Sequence, residues 1–311
     1  MNSIFITPKN SLGEILRGAV PGTRVILEPG IYREKLEISV PGIEITGNSA
    51  EDTKIVFGDY AKKLDEKGVE YNTFRTYTVA VLADNVSFSN LTIENDAHYP
   101  ENKGQEVAIS VCADNFKATD CHFLSTQDTV FLGPLPDDLI ERYDGLLKNE
   151  LRQSGMMTQY FRDCLIAGNV DFIFGCGDAL FENCEIRSVY DVRGSGYTAA
   201  PAHAKEQDTG FVFKNCNFTC EEKVKDDSVF LARPWRDYGK CSFIDCKYGR
   251  HISSLGFDKW NDTDRDKTAR FNEYGRIPEG RVAWSGILTE NEIKRLLNRW
   301  NYLSNNTEQS I

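Results

Sequence analysis

Asn183-Cys184-Glu185-Ile186 is one of six copies of a single pattern: Asn or Asp, a buried-type residue, any residue, then a large apolar one. The others are Asn90-Leu91-Thr92-Ile93, Asp120-Cys121-His122-Phe123, Asp163-Cys164-Leu165-Ile166, Asn215-Cys216-Asn217-Phe218 and Asp245-Cys246-Lys247-Tyr248. An aromatic precedes several of them, as at Phe181, Phe213 and Phe243. From Leu91 the second position recurs after 30, 43, 20, 32 and 30 residues. Self-similarity at such periods marks a solenoid, a propeller or an array. Within each unit the alternation has a period of two, which belongs to strands. Equivalent positions of successive solenoid coils stack on one another. Five of the nine cysteines therefore form an internal ladder of small, soft side chains rather than disulfides or a metal site. A solenoid winds in one direction, so its strands run parallel. The expected fold is all-β: a right-handed parallel β-helix with short capping helices at both ends.

Residues 11–19 read as a short amphipathic helix over the first coil. Thr289-Glu290-Asn291-Glu292 is a capping box, followed by Ile293, Leu296, Leu297 and Trp300 at helical spacing. The longest excursion from the coils runs over about 132–158 and contains Gly133-Pro134-Leu135-Pro136. No interior linker is evident. Residues 1–311 are expected to form one domain, with a loose polar tail over about 304–311.

The chain has 311 residues, 41% hydrophobic and 11% aromatic, enough for a large core. Its formal net charge is -11 and no basic stripe with interleaved aromatics occurs, which argues against nucleic acid and anionic membranes. No run approaches the ~20 apolar residues of a membrane span. Met1-Asn2-Ser3-Ile4-Phe5-Ile6 lacks the basic and apolar regions of a signal peptide, and the cysteine count is odd. Both features point to a cytoplasmic chain, although a secreted chain already stripped of its signal would read the same. There is no C-x-x-C, and His98, His122, His203 and His251 are scattered, so no metal is expected.

Chemistry concentrates in a few segments. Gly168-Asn169-Val170-Asp171-Phe172-Ile173-Phe174-Gly175 sets one carboxylate, Asp171, inside an apolar run that reads as a short buried strand. Burying a carboxylate is costly without partners, so Asp171 is either functional or half of an ion pair. Ser125-Thr126-Gln127-Asp128-Thr129-Val130-Phe131 sets Gln127 and Asp128 before an apolar pair, one coil earlier. Gly104-Gln105-Glu106 puts Gln105 at a strand entry, and Ala232-Arg233-Pro234-Trp235 places a guanidinium beside an indole. Each has a bland reading: a polar strand end, a ladder turn, a surface cation–π turn. Their order and company decide.

On these segments the chain resembles the pectin methylesterases, carbohydrate esterases with a right-handed parallel β-helix. The resemblance also rests on Gly30-Ile31-Tyr32-Arg33-Glu34, Thr73-Phe74-Arg75-Thr76-Tyr77-Thr78-Val79, Phe271-Asn272-Glu273-Tyr274-Gly275 and Arg281-Val282-Ala283-Trp284-Ser285-Gly286, so it spans nearly the whole chain. It implies hydrolysis of methyl esters in pectin or methylated oligogalacturonates, with no cofactor, by a monomer. Asp171 would be the nucleophile and Asp128 the acid and base. Gln127 and Gln105 would serve the oxyanion, and Arg233 would hold Asp171. Thr73, Gln105, Val170, Phe174, Arg233 and Trp235 would bind the substrate, Val170 and Phe174 around the methyl group. Ala232 and Asn169 depart from the residues common in the family at those positions. Two alternatives stay open: an esterase or thioesterase acting on another ester, and a non-catalytic carbohydrate-binding β-helix. A cytoplasmic member would act on short methylated oligomers rather than polymer.

Overall fold

A computed structural model describes residues 3–97 and 104–302. The expected loose tail, and His98, lie outside these residues. The strands form three sheets of eleven, seven and eight strands, and every strand-to-strand ladder in them is parallel. One coil illustrates the path. Phe116–Thr119 lies in the eleven-stranded sheet, His122–Leu124 in the eight-stranded and Val130–Leu132 in the seven-stranded one. The next coil repeats the visit with Thr158–Arg162, Leu165–Gly168 and Val170–Gly175. This is the expected parallel β-helix.

The leading Asn or Asp of the repeat has a conformational cause. All six (Asn90, Asp120, Asp163, Asn183, Asn215, Asp245) have φ between 51° and 56°. Each turns the corner from the eleven-stranded to the eight-stranded sheet in the left-handed region, which Asn and Asp tolerate better than other side chains. The following residue points inward: Leu91, Cys121, Cys164, Cys184, Cys216 and Cys246 are all buried. None of the nine cysteines is in a disulfide. Beside this ladder runs an aromatic one. Phe161, Phe181, Phe213 and Phe243 stack face to face at centroid distances of 5.0, 4.8 and 4.8 Å. Phe213 touches a ring on each side, so Phe213→Leu forfeits two stacked contacts and leaves a gap. The expected loss is about 2 kcal/mol, read by urea unfolding. An unchanged midpoint would show that the stack contributes nothing beyond volume.

The helix Leu12–Gly18 is capped by Ser11 and buries Leu12 and Leu16 in the core at the first coil. The helix Glu290–Leu297 carries the Thr289–Glu292 capping box. It covers an outward-facing apolar row of the eleven-stranded sheet, Tyr160, Leu180, Val212 and Ile244, which would otherwise face water. Trp300 is buried there and its indole N–H donates to the Gln159 carbonyl at 3.1 Å. The excursion holds a helix, Asp137–Arg142, and a 3-10 turn, Asn149–Arg152. Its Leu139, Tyr143, Leu147 and Leu151 pack on Phe74, Phe131 and Phe174, making a second, smaller core outside the seven-stranded sheet.

Candidate active site

The seven-stranded sheet carries the site on its outer face. Val130 pairs with Ile173 and Phe131 with Phe174. Asp128 and Asp171, each two residues before a paired position, thus occupy the same place on adjacent rungs, about 4.8 Å apart along the helix axis. The strand Val170–Gly175 is buried throughout, but it is not regular. Its register against Gly196–Pro201 shifts between Val170 and Ile173, where Asp171 has φ 51°. The plain buried strand expected from the apolar run is therefore a bulged one. A bulge re-aims one side chain. Asp128 has φ 64°, so both carboxylates are carried by residues in the left-handed region. Gly175 closes the segment for a steric reason. Its φ is 130°, and a Cβ there would lie 2.0 Å from the Leu132 carbonyl oxygen.

The carboxylates open into a cleft of about 420 Å³ lined by Thr73, Gln105, Gln127, Asp128, Asp171, Phe174, Arg233 and Trp235, among others. These are the residues singled out in the sequence, with one exception. Val170 is buried and is not among the lining residues. It bridges Gln127, and its carbonyl accepts the Asp128 N–H at 3.0 Å. Gln105 stands in an extended connector before the strand Ile109–Val111 rather than at its first residue. Phe174 packs against Phe131, Phe74 and the edge of Trp235.

Arg233 grips Asp171 with two hydrogen bonds, Nε to Oδ1 at 2.8 Å and Nη2 to Oδ2 at 2.7 Å. Such fork-to-fork geometry is strong and directional. The guanidinium is itself clamped between two aromatic faces, 3.7 Å from the Tyr197 ring centroid and 4.0 Å from that of Trp260. Trp260 holds φ 71°, a strained conformation for a bulky residue. Arg193 is paired with Asp191 at 2.6 Å and donates to the Gln127 side-chain oxygen at 3.3 Å. Sequence reasoning missed Tyr197, Trp260 and Arg193. Tyr197 follows Gly196 within an ordinary strand pattern, and Trp260 sits in a polar loop. Neither carries a local signal for stacking on a residue some thirty positions away.

The environments of the two carboxyls differ. Burial pushes the Asp171 carboxyl upward, and the Arg233 guanidinium pulls it back. Burial pushes Asp128 well above the usual carboxylate range, and the negative charge of Asp171 pushes it further. Only the Gln127 hydrogen bond and the charges of Arg233 and Arg193 oppose this. Asp171, with a guanidinium in direct contact, loses its proton first. Asp128 keeps its own. A cleft with one carboxylate held as an anion and one as an acid can combine nucleophilic attack with proton donation.

Comparison with known proteins agrees. A sequence model described as Pectinesterase matches residues 12–133 and 153–301. The chain is 33% identical to pectinesterase QRT1 of Arabidopsis thaliana over 95% of its own length and 76% of that protein's. It is 29% identical to pectinesterase 31 of the same plant over 93% and 85%. Its fold superposes on pectin methylesterase PemA from Erwinia chrysanthemi with a TM-score of 0.79, at 24% identity, covering 95% of each chain. A pectin methylesterase in complex with a hexasaccharide superposes with a TM-score of 0.78, at 25% identity over 92% of this chain and 90% of that one. No helix among the described residues is long and apolar enough to cross a membrane, and these relatives lend no support to the cytoplasmic expectation. With the family's sequence pattern running through nearly all of the β-helix, and through every segment that builds the cleft's two carboxylates, the chain belongs to the pectinesterase family.

Proposed function

We propose that this carboxylic ester hydrolase removes methyl groups from galacturonate esters of pectin or methylated oligogalacturonates. The observation that carries the reading is the pair of unlike carboxyls, Asp171 in a bidentate grip and Asp128 with no ion pair among the described residues, on adjacent rungs of one open cleft. The Asp171 carboxylate oxygen attacks the ester carbonyl carbon. Negative charge collects on the carbonyl oxygen, where the amide groups of Gln127 and Gln105 serve as donors. As the intermediate collapses, Asp128 gives its proton to the methoxy oxygen, methanol departs, and a mixed anhydride remains on Asp171. Asp128, now a carboxylate, takes a proton from water. The hydroxide adds to the anhydride, releasing the uronate and restoring both residues. Phe174 and Trp235 offer apolar faces to the methyl group and the sugar ring.

This division of labour sets a pH profile. kcat/KM rises as Asp171 ionises and falls as Asp128 loses its proton. Because burial and the neighbouring anion raise Asp128, the falling limb lies above the ordinary carboxylate range. Rates on a short methylated oligomer across pH test the order. A profile with no alkaline fall would overturn the acid role of Asp128. The activity itself is tested by methanol release from highly methyl-esterified pectin and from short oligomers. Tight sugar binding with no release on either would favour the non-catalytic reading. Comparing kcat/KM on the two substrates also tests the short-oligomer preference, which a large advantage for polymer would refute.

A further inference from the structure

The family pattern stops at residue 133 and resumes at 153. The intervening segment lies outside that pattern, yet it reaches the cleft. It leaves the sheet at the end of Val130–Leu132, on the same edge as the Arg233-Pro234-Trp235-Arg236 segment that follows Val229–Ala232. Leu139, Arg142 and Tyr143 line the cleft beside Trp235 and Arg236. The segment is firmly seated. Tyr143 is buried and meets Phe74 edge-on at 5.5 Å. Asp138 binds the Arg236 guanidinium in a fork, with Nη2 to Oδ2 at 2.7 Å and Nε to Oδ1 at 3.1 Å, and Lys148 pairs with Glu37.

Three arginines are among the residues lining this cleft, and their partners differ. Arg233 is taken by Asp171 and Arg236 by Asp138. Arg142 is exposed, stands 5.8 Å from the Tyr143 ring, and makes no ion pair among the described residues. A planar guanidinium held on a rigid wall and open to the cleft suits a carboxylate in bidentate fashion. On a chain of net charge -11, such a local cation offsets the long-range repulsion of a polyanion. Resting on the function proposed above, we propose that residues 134–152 form one wall of the substrate cleft and that Arg142 binds a free, already de-esterified galacturonate carboxylate of the bound oligomer. The wall therefore favours partly de-esterified stretches, whose carboxylates are the product of earlier turnovers.

The test compares kcat/KM for methanol release from half-esterified and fully esterified hexagalacturonate, in wild type, Arg142→Ala, Arg142→Lys and Lys9→Ala. It is paired with calorimetric titration of fully de-esterified hexagalacturonate. Arg142→Ala should lower the half-to-full ratio about 10-fold and weaken the de-esterified hexamer about as much, the low end of what a charged hydrogen bond contributes. Arg142→Lys should fall between, keeping the charge without the fork. Lys9→Ala removes an equal charge from an exposed position that does not line the cleft and should keep the wild-type ratio. An unchanged ratio and unchanged binding in Arg142→Ala would overturn the proposal. So would a Lys9→Ala loss matching that of Arg142→Ala, since the effect would then be general charge. If the wild type releases no methanol from either hexamer, the functional reading fails, and the titration alone then decides whether Arg142 holds a carboxylate.

Discussion

Asp171→Asn is expected to lower kcat for methanol release on the order of 10⁴-fold or more, the loss seen when a covalent nucleophile is removed. Asparagine keeps the size of the side chain and one oxygen to accept from Arg233, so the cleft should persist. What disappears is the anion that attacks the carbonyl. Asp128→Asn should cost less, because general acid catalysis typically contributes about 10²–10⁴-fold. Methanol assays on both variants, with circular dichroism to confirm folding, order the two. Asp171→Asn retaining activity close to that of Asp128→Asn would sink the assignment of Asp171 as nucleophile.

The second large effect is expected from Arg233→Ala, in stability as well as rate. The Arg233 and Asp171 side chains are only 14% and 11% exposed. Truncating the cation strands a buried carboxylate, and breaking such a pair costs about 3–5 kcal/mol. The loss also has a pH signature. Without Arg233 only the more distant charge of Arg193 offsets the burial that already raises Asp171. Unfolded, that carboxyl ionises at about pH 4. Below that value both states hold the proton and the deficit is smallest. As pH rises above it, the unfolded chain releases the proton while the folded variant keeps it or buries a charge. Folded wild type, in which Asp171 is raised too, shares this loss until its own Asp171 ionises; from that point the deficit grows with pH until Asp171 ionises in the folded variant. Urea unfolding of wild type and variant from acid to neutral pH reads this directly, and a deficit independent of pH would contradict it. The rate should fall about 10²–10³-fold. Arg233→Lys should recover part of the stability but little of the rate. A lysine supplies the charge without the fork, and it lacks the flat face held between Tyr197 and Trp260.

Much of this protein could be read before any coordinates because its instructions are local and repeated. Asn or Asp at each left-handed corner, an inward Leu or Cys next, and alternation thereafter are constraints a few residues satisfy among themselves, and six copies make them legible. Asp171 stood out for the same reason, as a charge with no business in its own apolar run. The local pattern did not show the bulge at Asp171. A left-handed aspartate inside a strand reads as any other aspartate until the neighbouring rung shows the register shift. Nor did it place Val170 beneath the cleft.

The rest belongs to tertiary structure. The Tyr197–Arg233–Trp260 clamp joins residues from three different coils, and stacking leaves no periodicity in sequence. The unlike behaviour of Asp128 and Asp171 depends on which carboxyl a guanidinium touches, and that is a matter of distance in space. The segment after residue 133 read as a polar excursion. Only its packing of Tyr143 on Phe74, and the Asp138–Arg236 pair, turn it into a wall of the site. Backbone preference and hydrophobic alternation act between neighbours in the chain, so the sequence alone determined the coil. Electrostatics and aromatic contact act between neighbours in space, so the folded structure decided the chemistry of the cleft.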